Sequence, residues 1–165
     1  MTVSRYNRAV RKITPFLWFD NNAEEAMNFY VSIFKNSKIR NIHRYGDAGP
    51  GPKGSVMTAT MELDGEEFMV LNGGPHFHFT EAISLFVNCE TPEEVDELWE
   101  KLSAGGKKGQ CGWLKDQFGL SWQIVPSALG KLLGDPNPAK TQRVMKALMQ
   151  MTKLDTAVLE KAYQG

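Results

Sequence analysis

Residues 13–34, ITPFLWFDNNAEEAMNFYVSIF, decide the fold. The first seven form a short apolar and aromatic run of strand length, and Asp20-Asn21-Asn22 end it as a turn. The rest reads as a helix. Asn22 stands at the N-cap with Glu25 three residues on, and Ala26, Met27, Tyr30, Ile33 and Phe34 recur at helical spacing. The plan returns at residues 82–102, where the strand AISLFVNC leads into TPEEVDELWEKL. There Thr91 is the N-cap, Pro92 sits at the first helical position and Glu94 closes a capping box. Superposing Asn22 on Thr91 also lays Glu24-Glu25 on Glu93-Glu94 and Tyr30 on Trp99, which is an internal repeat.

Each repeat continues in strands. After the first helix come KIRNIHRY (38–45), the loop GDAGPGPKG (46–54), and the alternating strand SVMTATMEL (55–63). The dipeptide Asp64-Gly65 then predicts a hairpin into EEFMVLNGG. After the second helix, GQCGWLKD (109–116) and LSWQIVP (120–126) predict a hairpin around Gln117, Phe118 and Gly119. Both halves have an α+β pattern, spanning 13–74 and 81–126 within one domain of residues 1–126. From Ser127 the character changes to helix. Val144, Met145, Leu148 and Met149, then Leu154, Val158, Leu159 and Ala162, make an apolar stripe over a C-terminal arm, 127–165, that must lie on its own sheet or on a partner subunit.

The 165 residues balance nineteen basic against nineteen acidic side chains, with a pI near 6.8. Nucleic acid is therefore not an expected partner. Nor is a membrane: no apolar run is long enough to span one, and the basic start MTVSRYNRAVRK is not followed by a signal-type stretch. These features predict a cytoplasmic protein, in keeping with just two cysteines, Cys89 and Cys111, outside any metal or redox spacing.

The two strand–helix–strand halves, the 13–34 stretch and QCGWLKDQFGLSWQIVP (110–126) together resemble the vicinal oxygen chelate superfamily, which spans glyoxalases, bleomycin-resistance proteins and dioxygenases. They are most similar to its PhnB-like branch, labelled 3-demethylubiquinone-9 3-methyltransferase domain. The resemblance implies paired βαβββ modules in a curled mixed sheet with helices outside, a homodimer, and a concave face for a small ligand. Metal-using relatives place His, Glu or Gln at the starts of the first strands and the ends of the last. Carried onto this chain, those positions fall at Thr14, Asn72, Ile83 or Ser84, and Gln123. Such donors suit a divalent transition metal poorly, so neither a metal nor another cofactor is expected. The pair His76 and His78 in GPHFHF lies in the joint between modules, away from these positions.

Strand parity supplies the candidate pocket. Thr14, Phe16 and Trp18 alternate onto one face, as do Phe68, Val70 and Asn72. Cys111, Trp113 and Lys115 share a face of one strand, and Ser121, Gln123 and Val125 a face of its neighbour. If these faces are concave, Thr14, Phe16, Trp18, Asn72, Cys111, Trp113, Lys115 and Gln123 bind a planar or anionic organic molecule. The alternative is that the tryptophans are core and Lys115-Asp116 is a surface pair. No catalytic group can be assigned, and GDAGPGPKG precedes a strand, not the helix an adenosylmethionine site would need. That disfavours the transferase activity in the family label. The other enzyme alternative, a metal-dependent lyase, isomerase or dioxygenase, would need donors beyond Gln123.

Overall fold

A computed structural model describes residues 12–165; the start of the chain, up to Arg11, lies outside the described residues. The element order is two copies of βαβββ followed by three helices. The first module comprises β1 (Phe16–Phe19), α1 (Ala23–Ile33), β2 (Lys38–Arg44), β3 (Val56–Leu63) and β4 (Glu66–Asn72). Its four strands form a mixed sheet in the order β1-β4-β3-β2, with β1 parallel to β4 and the other pairs antiparallel. Leu17 and Phe19 of β1, Ala59, Met61 and Leu63 of β3, and Val70 of β4 are buried with Ala23, Ala26, Met27 and Tyr30 of α1. The amphipathic stripe of the helix thus meets one face of the sheet, and removing this apolar area from water drives the packing. Asp64 and Gly65 turn β3 into β4 with φ of 47° and 78°, the left-handed pair that an Asp-Gly hairpin requires.

The second module comprises β5 (Ser84–Cys89), α2 (Pro92–Ser103), β6 (Lys107–Lys108), β7 (Trp113–Lys115) and β8 (Ser121–Pro126). Its order, β5-β8-β7-β6, repeats the first sheet, again with one parallel pair, β5 with β8. Thr91 Oγ1 accepts from the Glu94 amide at 3.2 Å, the expected N-cap, while the Glu94 carboxylate accepts from the amide of Glu90, one residue ahead of the Thr91 amide that a capping box would use. The repeat is exact in the helices and slips in the strands. An odd offset of the kind that aligns Asn22 with Thr91 would turn Phe86 and Asn88 toward α2; both are exposed instead, and Cys89 is the buried residue at the strand end.

The chain divides into two compact units, one ending at Phe77 and one beginning at His78. The second unit holds the C-terminal helices α3 (Ala128–Leu133), α4 (Pro138–Leu148) and α5 (Thr156–Gln164). Asn137 and Asp155 cap α4 and α5 by accepting from Ala139 and Val158 amides. Val144, Leu148, Leu154 and Leu159 are buried in one cluster with Leu129 and with Val125 of β8. The arm therefore lies on its own sheet, at the Val125 end of the face opposite α2. Met145, Met149 and Val158 of the predicted stripe remain exposed.

Candidate functional site

In the first unit the parallel register decides which side chains share the face opposite α1. Phe16 is level with Met69 and Trp18 with Leu71, whereas Asn72 is level with Phe19. Phe16 and Trp18 consequently share their face with Met69 and Leu71, not with Phe68, Val70 and Asn72. The parity of each strand is as expected; the pairing of faces is off by one residue, which inverts it. Thr14 lies ahead of β1 and takes no part in the alternation. Asn72 is on the helix side, buried, with Oδ1 accepting from the Ala23 amide at 2.9 Å and Nδ2 donating to the Val56 carbonyl at 3.0 Å. It thereby supplies the cap for α1 that Asn22, which makes no side-chain capping bond, does not.

Trp18 is fixed by the segment that follows β4. Its Nε1 donates to the Gly74 carbonyl at 2.9 Å and its ring meets Phe77 edge-on, centroids 5.0 Å apart. A Cβ at Gly73 would stand 2.2 Å from Trp18 Cζ2, so only glycine leaves room for the indole. His76, Phe77 and His78 are exposed, and among the described residues no group of three or more His, Cys, Asp or Glu is placed to hold a metal. The loop GDAGPGPKG wraps a side chain: Cβ atoms at Gly49 and Gly51 would each fall about 2.5 Å from the Tyr45 ring, whose hydroxyl donates to the Asn72 carbonyl at 2.9 Å. Gly49 and Gly51 are accounted for by that ring, and Gly54 by its φ of 84°.

In the second unit, Ser84, Ser121 and Lys115 form one cross-strand row, and Phe86, Gln123 and Trp113 the next. Both rows lie opposite α2. Gln123 donates to Ser84 Oγ at 2.9 Å, Lys115 pairs with Glu81 at 2.7 Å, and Trp113, Lys115 and Gln123 are half-buried. The Ser121 hydroxyl is fully buried with no hydrogen-bond partner among the described residues. Two expectations are corrected here. Cys111 is not in the strand: it and Gly112 have φ of 55° and 80°, which breaks the alternation, and its Sγ contacts the Leu148 carbonyl and Met149 Sδ at the edge of the helical cluster. Asp116 is not a surface partner of Lys115. It is buried, and its carboxylate accepts from the Phe118 and Leu120 amides and from Trp122 Nε1, at 2.8–3.0 Å.

Burial raises the Cys89 thiol to about 12, with Glu94 adding to the effect. The thiolate that reacts is therefore suppressed. In native protein at pH 8, thiol labelling followed by mass spectrometry should leave Cys89 unmodified until denaturant is added; rapid native labelling of Cys89 would contradict its burial.

The family model for 3-demethylubiquinone-9 3-methyltransferase matches residues 11–125. The chain belongs to this family. A PhnB protein from Bacillus cereus, provisionally described as a 3-demethylubiquinone-9 3-methyltransferase, is 44% identical over 71% of this chain and 100% of its own, with a TM-score of 0.67. Protein PA1353 from Pseudomonas aeruginosa (22% identity, 71% and 98% covered, TM-score 0.60) and the fosfomycin resistance protein FosX from Listeria monocytogenes (14%, 74% and 98%, 0.50) share the fold. No curated protein sequence matches. The PhnB-like chain thus has the vicinal oxygen chelate fold, and its match to the family ends at Val125, where the helical arm begins to cover the sheet.

At the positions where metal-using relatives of this fold carry ligands, the PhnB-like chain offers neutral oxygens. Both amide atoms of Asn72 are engaged on the helix side, and Ser84 and Gln123 are bonded to each other. This donor set does not fit a divalent transition metal ion. Of the eight predicted site residues, the second sheet brings together Trp113, Lys115 and Gln123, and the first Phe16 and Trp18. Ser84, Phe86, Ser121 and Glu81 join Trp113, Lys115 and Gln123: parity already put Ser121 beside Gln123, the β5–β8 register adds Ser84 and Phe86, and the ion pair with Lys115 brings in Glu81.

Proposed function

We propose that the PhnB-like chain binds a small planar or anionic organic molecule on the face of β5, β7 and β8 opposite α2, and does so without a metal or other cofactor. The observation that carries the reading is the buried Ser121 hydroxyl left without a partner between Ser84 and Lys115. Such a group costs stability, and proteins retain that cost at sites that bind. Trp113 and Phe86 offer aromatic surface, Gln123 and Ser84 an amide and a hydroxyl, and Lys115 a cation. Trp18 and Phe16 offer a second aromatic surface on the first sheet. The transferase reading suggested by the family's description finds no support in GDAGPGPKG, whose Gly49 and Gly51 accommodate Tyr45 and which leads into β3. Among the described residues no helix is long and apolar enough to cross a membrane. We propose a cytoplasmic homodimer, with light scattering as its test: a monomer at micromolar concentration would end that reading.

A thermal-shift screen of aromatic acids, amides and phenols tests the binding proposal, since a ligand bound by the folded state alone raises the melting midpoint. The proposal expects a concentration-dependent rise that is lost in Trp113→Ala; a screen with no shift at millimolar ligand refutes it. Replacing Ser121 by alanine removes a buried hydroxyl that has no hydrogen-bond partner among the described residues, so S121A should be more stable than the wild type by about 1 kcal/mol. Urea titration measures this, and a destabilised S121A would mean that the hydroxyl has a structural partner.

A further inference from the structure

The row that carries Ser121 continues to Lys115 and then, across β6, to Lys107. Two lysines are therefore cross-strand neighbours at one end of the row. The carboxylate that reaches Lys115 belongs to Glu81, three residues ahead of Ser84 and so on the opposite flank of β8. To join β7 to the approach of β5, this ion pair crosses the strand that holds Ser121, at the end of the face away from the helical arm on Val125. Both partners are accessible, with 35% of the Lys115 and 65% of the Glu81 side chain exposed. An ion pair this exposed is weakly held, because solvent screens it and two long side chains must be ordered to make it. The lysines hold the Glu81 carboxyl below its ordinary range, Lys115 by direct hydrogen bonding and Lys107 by its charge.

We infer that Glu81 stands in for a ligand's carboxylate, so that this face takes a planar aromatic monocarboxylate whose ring lies against Trp113 and whose carboxylate replaces Glu81 on Lys115. The inference rests on the binding reading above and narrows it to one chemical class. Displacing the Glu81 side chain uncovers Ser121, whose hydroxyl then has the acceptor it lacks. The exchange is one carboxylate for another on Lys115, so little is lost electrostatically. What is gained is the Ser121 hydrogen bond and the aromatic contact. Glu81 in turn competes with any weaker anion and rejects neutral analogues, which cannot replace it on the lysine.

Isothermal titration with 2-naphthoate and its uncharged counterpart 2-naphthamide tests this on the full chain. Wild type should bind the acid in preference to the amide. Glu81→Gln removes the competitor and should tighten naphthoate binding about two- to fivefold, the range set by an exposed ion pair, without helping the amide. Lys115→Met should weaken naphthoate about tenfold or more. The gain expected of E81Q cannot arise from misfolding, which protects the test if K115M is damaged. Equal binding of acid and amide, with E81Q neutral, overturns the inference while leaving small-molecule binding intact. No binding of either compound to wild type or E81Q also overturns it, and the broader reading then fails only if the screen is empty as well.

Discussion

Asp116→Ala should destabilise the protein by about 3–4 kcal/mol, an amount set by the three charge-assisted hydrogen bonds it removes. The carboxylate is 3% exposed, and it accepts from the amides of Phe118 and Leu120 and from the indole of Trp122. It thus closes the β7–β8 turn, whose Gly119 has φ of 85°, and holds the largest fully buried side chain in the second sheet. Alanine removes the acceptor that three N–H groups use where water has little access; removing the desolvated charge offsets part of that loss. For a chain of this size the melting midpoint should fall by about 8–14 °C. Asp116→Asn keeps an oxygen for the two amides but turns an NH2 toward the indole N–H, so its loss should be intermediate. A D116A variant melting within two degrees of wild type would show that the turn forms without the carboxylate.

The second large effect is expected at Asn72, which residue type and position on its strand make a candidate ligand contact. Asn72→Ala removes the acceptor for the first amide of α1 and a donor to Val56, both buried. A lost cap of this kind costs about 1 kcal/mol and a stranded buried group about 1–2 more, so N72A should lose about 2–3 kcal/mol in urea titrations. Its ligand affinity, measured well below the melting range, should stay within twofold of wild type. The opposite outcome, unchanged stability with affinity reduced tenfold, would return Asn72 to the binding face. Asn72→Asp separates the two contacts: the carboxylate still accepts from Ala23 but faces the Val56 carbonyl, so it should recover part of the cap and not the whole.

Why Asn72 and Asp116 lie elsewhere than strand parity and adjacency suggest is a matter of what a strand sequence contains. Alternation reveals which residues of one strand share a face, and this held for β1, β4 and β8. It does not reveal the register between β1 and β4, which are separated by a helix and two strands and pair in parallel. A one-residue slip there carries Asn72 from one side of the sheet to the other. At Cys111 the alternation itself stops, because two consecutive positive φ values turn the chain before β7 begins. A glycine at position 112 signals that break, and a non-glycine residue in the left-handed region at 111 does not. The expected pairing of Lys115 with Asp116 came from adjacency, yet neighbours along a strand point to opposite faces, and each found its partner elsewhere: Glu81 for one, the turn and Trp122 for the other.

The sequence by itself determined the repeated strand–helix–strands plan, the helices with the Thr91 cap, and the Asp64-Gly65 turn. These are local: hydrophobic period, a capping oxygen within three residues, and a backbone conformation that one dipeptide favours. Only the tertiary structure decided that Asn72, forty-nine residues away, caps α1. It also laid the terminal arm on Val125 and paired Phe16 and Trp18 with Met69 and Leu71. It buried the Ser121 hydroxyl and drew Glu81 to Lys115 across β8. Each of these depends on how elements distant in the chain align. That alignment is set by the packing of a whole helix on a whole sheet, and the residues of any single strand do not encode it.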